Sequence, residues 1–201
     1  AFNNGEDIHK KTAQEIFEKE EISSLERRVA KAVNFGIIYG QSAWGLSEGI
    51  NISPKEADRF IKKYYETFPG IKGFMDAIVE KAKNDGYVET IFNRRRYIPE
   101  IKSSVYMQRE AGKRNAMNAP IQGSAADIIK IAMIKIDEEL IKRNLKSKLL
   151  LQIHDELVFE VDKDELEVMK ILVKETMENC IQLKVPLLVD YAVGKNLYET
   201  K

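Results

Sequence analysis

Leu149-Leu150-Leu151-Gln152-Ile153-His154-Asp155-Glu156-Leu157-Val158-Phe159-Glu160-Val161 places two adjacent carboxylates between two apolar runs. The flanking residues want burial, with Gln152 and Glu160 as the only polar interruptions outside His-Asp-Glu, so the stretch predicts a hairpin packed against helices. A tight turn then presents Asp155 and Glu156. Carboxylates beside apolar surface need a cationic partner, and a hard divalent ion such as Mg²⁺ is the usual one. The plainer reading is a solvated turn, because Asp and Glu are common turn residues, with His154 hydrogen-bonded to backbone. The rest of the chain has to decide between the two.

Working outward, 201 residues with 44% hydrophobic content can bury a real core, as one large domain or as two subdomains sharing an interface. The single Cys180 excludes a disulfide within the chain, which suits a reducing compartment. No apolar run approaches bilayer length, so no membrane partner is expected, and the first residues carry no signal-peptide pattern. The expected location is the cytoplasm, with an organelle as the other possibility. Lys plus Arg balances Asp plus Glu at 32 each, so only charge distribution can speak to a polyanionic partner. Basic residues gather at Arg27-Arg28 with Lys31, at Arg94-Arg95-Arg96 and at Arg109, Lys113 and Arg114. Segregated patches of this kind can bind nucleic acid, although each alone also reads as an ordinary solvated face.

Helical patterns dominate the N-terminal half. Helices are predicted over 7–18 and 27–39, the second with Gly40 as its terminator. Ser53-Pro54-Lys55-Glu56 reads as an N-cap, a first-turn proline and an acidic third position, opening a helix over 54–68. Pro69-Gly70 ends it, a further helix covers 71–84, and 87–92 alternates like a strand before a turn at Asn93-Arg94. Helices over 104–116 and 121–142 are divided by Pro120. The hairpin follows, then a helix over 164–180 and a short strand over 187–193. The predicted class is α+β: a mostly helical N-terminal part, then an antiparallel hairpin and a C-terminal strand packed on helices.

Arg27, Lys31, Phe35 and Tyr39 recur every four residues and drift only about 40° per step around a helix, forming one oblique stripe. Two cations followed by two aromatics suit a nucleotide, with charge for the phosphates and flat apolar surface for sugar and base. The alternative is a helix whose aromatics are core and whose cations are solvated. Gly36 weakens this helix by about 1 kcal/mol relative to alanine, which is tolerable if close approach or movement requires it. A ligand stacking there is one such reason.

The string Arg27-Arg28-Val29-Ala30-Lys31-Ala32-Val33-Asn34-Phe35-Gly36-Ile37-Ile38-Tyr39-Gly40 resembles motif B of the family A DNA polymerases, and Gln152-Ile153-His154-Asp155-Glu156 resembles motif C. Asp7-Ile8-His9, Gly86-Tyr87-Val88-Glu89-Thr90 with Arg94-Arg95-Arg96-Tyr97-Ile98-Pro99, and Arg114 through Asn118-Ala119-Pro120-Ile121-Gln122-Gly123 extend the resemblance over essentially the whole chain. It implies a DNA-directed DNA polymerase, acting in replication or repair on primer-template DNA and deoxynucleoside triphosphates. On this resemblance His9, Arg27 and Lys31 hold the triphosphate, Phe35 packs on sugar and base, and Tyr39 and Gly40 lie at the template side of the nascent pair. A phenylalanine at position 35 is associated in the family with discrimination against dideoxynucleotides. Arg114, Asn118 and Gln122 match positions along the primer-template minor groove, where purine N3 and pyrimidine O2 are acceptors shared by all correct pairs. His154 is expected at the primer terminus. Arg94, Arg95 and Arg96 are expected at backbone phosphate, with a purely structural cluster as the other reading.

The implied chemistry is attack of a primer 3′-hydroxyl on the α-phosphorus, assisted by two Mg²⁺ ions about 3.5–4 Å apart. Asp155 is the expected metal ligand, with Glu156 second. The family's other metal-binding aspartate lies in motif A, an Asp-Tyr-Ser-Gln-Ile-Glu-like strand that these residues do not include. The expectation is therefore a piece of a polymerase, with fingers over 1–104 and the C-terminal part of the palm over 105–201. It would need the N-terminal polymerase portion, with motif A and thumb, as partner, and would be inactive alone. Two alternatives stand beside it: a non-catalytic nucleic-acid-binding module with a polymerase-like surface, and an interaction fragment with idle carboxylates.

Overall fold

The structure, a computed structural model, describes residues 2–200. It divides into two compact units, one running to Ser124 and the other starting at Ala125. Among the described residues there are seven α-helices and two two-stranded antiparallel sheets, the α+β mixture that the sequence predicts.

In the first unit, α1 (Ile8–Phe17), α2 (Ser24–Ile38), α3 (Ala43–Ile50) and α4 (Pro54–Thr67) share one core. Each begins on a side chain that accepts orphan backbone N–H groups: Asp7 for α1, Ser23 for α2, Ser42 for α3 and Ser53 for α4. Ser23 and Glu26 complete a reciprocal capping box, which starts α2 three residues ahead of the expected Arg27. The core joins Ala13 and Ile16 of α1, Ala30, Val33 and Ile37 of α2, Leu46 of α3, and Ala57, Phe60 and Tyr64 of α4. Helix α3 is one that apolar periodicity does not predict. Two glycines in eight residues hide it, while the Ser42 cap, the buried Leu46 and the left-handed Asn51 at its end define it.

Helix α5 (Pro69–Asp85) begins on a proline in its first turn and closes on Gly86 at φ +82°. Strands β1 (Tyr87–Glu89) and β2 (Arg95–Tyr97) then pair antiparallel, Val88 opposite Arg96. Val88, Ile98 and Ile101 form a second core with Ile78 and Ala82 of α5 and with Ala116 and Ala119 of α6 (Tyr106–Lys142). Gly112 is needed there, because a Cβ would come within 2.6 Å of the Ile101 backbone nitrogen.

Helix α6 corrects the expected break at Pro120: it runs unbroken for 37 residues with the proline inside. An internal proline removes one backbone bond and costs about 3 kcal/mol. Buried residues on both sides offset it, Ala116 and Ala119 before the proline and Ile129, Ala132 and Ile136 after it.

In the second unit, β3 (Lys148–Ile153) and β4 (Glu156–Glu160) pair antiparallel, and α7 (Leu166–Glu178) packs Met169 and Leu172 against Ile136 and Leu140 of α6. Glu165 fastens the entry to β3, accepting from the backbone N–H groups of Lys146 and Ser147 and from the Ser147 hydroxyl. The strand expected over 187–193 is not formed. A strand needs a hydrogen-bonded neighbour, and no described strand pairs with this segment. The Val189 N–H instead donates to Glu178 Oε1, and Leu188, Tyr191 and Val193 are exposed. Among the described residues no helix is long and apolar enough to cross a membrane.

Candidate nucleotide and nucleic-acid interface

Helix α2 settles which of its faces is core. Ala30, Val33 and Ile37 are buried, whereas Phe35 and Tyr39 are 41% and 38% exposed, and Arg27 and Lys31 are exposed as well. The stripe is therefore an outward platform. Its two rings stack, centroids 6.0 Å apart and 18° from parallel, and Lys31 Nζ lies 5.8 Å from the Phe35 ring centre. Flat rings with a cation above them offer both a stacking surface and a phosphate-attracting charge. Gly36 is explained by packing: a Cβ would meet Gln41 Oε1 at 2.8 Å and Leu46 Cδ1 at 3.3 Å, so glycine lets α3 approach.

Helix α1 delivers His9 to the same platform, its ring 5.9 Å from Phe35. Arg27 Nε donates to Asp7 Oδ2 at 2.6 Å, so the residue that caps α1 also ties down the first cation of the stripe. The Arg27 hydrogen bond leads the interactions that hold the Asp7 carboxyl below its ordinary range, helped by backbone N–H donors. Burial lowers the His9 pKa, with Arg27 and Lys31 acting in the same direction against the Asp7 charge. Beside a platform already rich in cations, the balance therefore favours the neutral imidazole.

At the end of α2 the chain turns through Gly40 at φ +64°, facing Met117 and Arg114 of α6. Arg114, Asn118 and Gln122 follow at four-residue spacing on α6, with Arg114 and Gln122 exposed and Asn118 half-buried. The buried Asn118 Oδ1 accepts no hydrogen bond within the protein, which leaves this amide with unused acceptor capacity. A cleft of about 600 Å³ opens beside Gly40, lined among others by Val79, Lys83, Met107, Arg114 and Met117.

The arginine run divides by role. Arg94 Nη2 donates to the Gly123 carbonyl, and Arg95 pairs with Glu89 while lying 4.5 Å from the Tyr87 ring centre. Both brace the β1–β2 hairpin, while Arg96 is exposed on the opposite side of β2 from Arg95.

In the second unit, Ile153 pairs with Glu156, so His154 and Asp155 form the two-residue connection and Glu156 starts β4. His154 adopts φ +55°, uncommon for a residue with a Cβ, and its carbonyl accepts from Gln152 Nε2 at 2.9 Å. Asp155 and Glu156 are exposed. Among the described residues no group of three or more His, Cys, Asp or Glu side chains is gathered to hold a metal. The two carboxylates are hard oxygen donors that suit Mg²⁺, as part of a coordination shell only.

Sequence reasoning passed over Asn34 and Thr12, both buried between α1 and α2 and hydrogen-bonded to each other. The available signal was an amide at position 34 next to the apolar face formed by Val33 and Ile37.

These features, an exposed cation-and-aromatic stripe with a histidine beside it and a polar stripe on a neighbouring long helix, combine charge and flat apolar surface of the kind that suits phosphate groups and stacked rings. The profile of DNA polymerase family A matches residues 1–199. DNA polymerase I of Bacillus subtilis is 52% identical over the whole chain, and that of Geobacillus stearothermophilus is 51% identical. Among solved structures, the POL domain of Pol1 from M. smegmatis, in complex with DNA primer-template and dNTP, is 46% identical with a TM-score of 0.89. That likeness covers 93% of this chain and 33% of the mycobacterial one. The chain belongs to DNA polymerase family A. It spans 23% of the length of the two DNA polymerase I relatives.

Proposed function

We propose that this chain forms the fingers and the C-terminal part of the palm of a DNA-directed DNA polymerase that extends a primer 3′-end in replication or repair. The observation that carries this is the exposed stripe Arg27, Lys31, Phe35 and Tyr39 with His9 beside it, in a family A chain. Arg27, Lys31 and His9 bind the triphosphate of the incoming deoxynucleotide, and Phe35 carries its sugar and base. To engage phosphate, Arg27 shares or exchanges its Asp7 partner, which makes that ion pair a placeholder for the ligand. Tyr39 and Gly40 border the template base. Arg114, Asn118 and Gln122 read the minor-groove acceptors common to every correct pair, and the unused Asn118 acceptor is available to a guanine amino group or a water. Arg96 is the member of its cluster best placed for backbone phosphate, since Arg94 and Arg95 are occupied within the hairpin.

Asp155, with Glu156 beside it, would hold Mg²⁺ together with donors from the motif A polypeptide, and His154 positions the primer terminus. Bound there, the ions supply Lewis-acid activation of the primer hydroxyl and charge neutralisation at the leaving pyrophosphate. The stripe contributes phosphate binding, orientation and exclusion of water. The cytoplasm is the compartment of this activity.

Primer extension tests the proposal directly. Residues 1–201 alone are expected to give no templated product, and addition of a polypeptide bearing motif A and the thumb is expected to restore Mg²⁺-dependent synthesis. Primer-template binding with no synthesis under any such complementation would replace the polymerase by a non-catalytic binding module.

A further inference from the structure

Thr12 is fully buried and Asn34 nearly so, where α1 meets α2. The Thr12 hydroxyl donates to Asn34 Oδ1 at 3.0 Å, and Asn34 Nδ2 lies 2.8 Å from His9 Nδ1. An amide whose oxygen is turned to the threonine presents its NH₂ to the histidine. An NH₂ group has no lone pair to offer, so Nδ1 has to accept and therefore carries no proton. Burial favours the neutral ring, with Arg27 and Lys31 reinforcing this and Asp7 opposing it. The single proton of a neutral imidazole then resides on Nε2.

We propose that Asn34, set by Thr12, is a positioning residue that holds His9 as its Nε2–H tautomer, so that the neutral ring donates a hydrogen bond to an anionic oxygen of the incoming triphosphate. This rests on the assignment of His9 to the triphosphate. The opposite amide orientation would accept from Nδ1–H and leave a lone pair at Nε2, which repels phosphate. A hydroxyl within one helical turn of His9 on α1 thereby sets, through Asn34, whether the histidine attracts or repels that oxygen. Neutrality matters as well, because a donor without charge adds direction beside Arg27 and Lys31 without adding another cation.

The test uses the full polymerase chain with ring-¹⁵N histidine, the His9 signals being assigned by their loss in His9→Ala. Long-range ¹⁵N–¹H spectra are expected to show Nε2 protonated in the parent and in Thr12→Ser. Thr12→Val, which keeps the shape and removes the donor, is expected to populate Nδ1–H and to raise the dNTP KM about tenfold with kcat held, the scale of one hydrogen bond to a charged group. Thr12→Ser is expected to retain the parental KM, a rescue that simple loss of packing would not give. An unchanged tautomer in both Thr12→Val and Asn34→Asp overturns the relay. A changed tautomer without a KM change, while His9→Ala does raise KM, overturns its role in binding. A parental KM in His9→Ala overturns the triphosphate assignment itself, and the spectra still report independently whether Asn34 sets the ring.

Discussion

Gly40 sits where α2 stops, and replacing it by alanine separates two effects that the structure superimposes. The first is backbone strain: at φ +64° an L-residue costs roughly 1–2 kcal/mol. The second is steric, because a Cβ there would run into Met117 Cε and approach Arg114 Cγ to 3.3 Å. Displacing packed side chains costs about 1–3 kcal/mol, and an unbranched methionine yields more easily than most. Gly40→Ala is therefore expected to destabilise the first unit by roughly 2–5 kcal/mol, in the lower half of that range. Gly86 is the control, with φ +82° and nothing within 4 Å of an added Cβ, so Gly86→Ala should cost only the strain, about 1–2 kcal/mol. Gly73 reverses the sign: it lies exposed inside α5 with open space around it, and alanine there should stabilise by about 1 kcal/mol. Urea unfolding followed by Trp44, the only tryptophan and a residue of the first unit, reads all three. Met117→Ala in the Gly40→Ala background should bring the difference back towards the Gly86 value. Equal losses at Gly40 and Gly86 would refute the contact between the end of α2 and α6.

Three further outcomes are expected. Lys31→Ala should lower kcat/KM for dNTP about 100-fold or more in the complemented enzyme, as for loss of a charge aimed at transferring phosphate, and Phe35→Tyr should relax discrimination against dideoxynucleotides in a chain-termination assay. Ile136→Ala should destabilise the second unit by about 2–5 kcal/mol in a circular-dichroism melt, because the side chain is fully buried against α7. The Ser147 hydroxyl and the Lys146 and Ser147 backbone donors hold the Glu165 carboxyl below its ordinary 4.5, so its contribution is present above that pH and is lost as pH falls through the lower folded value. Glu165→Gln should accordingly flatten the acid limb of the second unit's stability profile.

Local chemistry was legible where one residue or one spacing decides the outcome. Ser53-Pro54 opened a helix, the apolar runs about Asp155 paired as a hairpin, and the four-residue recurrence on α2 produced one stripe. What the spacing alone left open was whether Phe35 and Tyr39 are core. Periodicity reports which residues share a face, and only the packed neighbours on Ala30, Val33 and Ile37 say which face is inside. Pro120 and 187–193 failed for a related reason. A proline penalty of about 3 kcal/mol is a local quantity that buried anchors on both sides outweigh, and β propensity at 187–193 makes no strand without a neighbour to pair with.

The stripe and the relay beneath it differ in legibility because they differ in what fixes them. Arg27, Lys31, Phe35 and Tyr39 lie on one element, so their spacing alone implies proximity. Thr12, Asn34 and His9 come from two helices, and their bonds exist only because Ala13, Ile16, Ala30 and Val33 set the α1–α2 contact. A hydrophobic contact has no direction of its own, whereas a buried amide does: it has to satisfy a donor on one side and an acceptor on the other. In this fold the apolar residues bring His9 to the platform, and Asn34 determines which edge of its ring is a donor there.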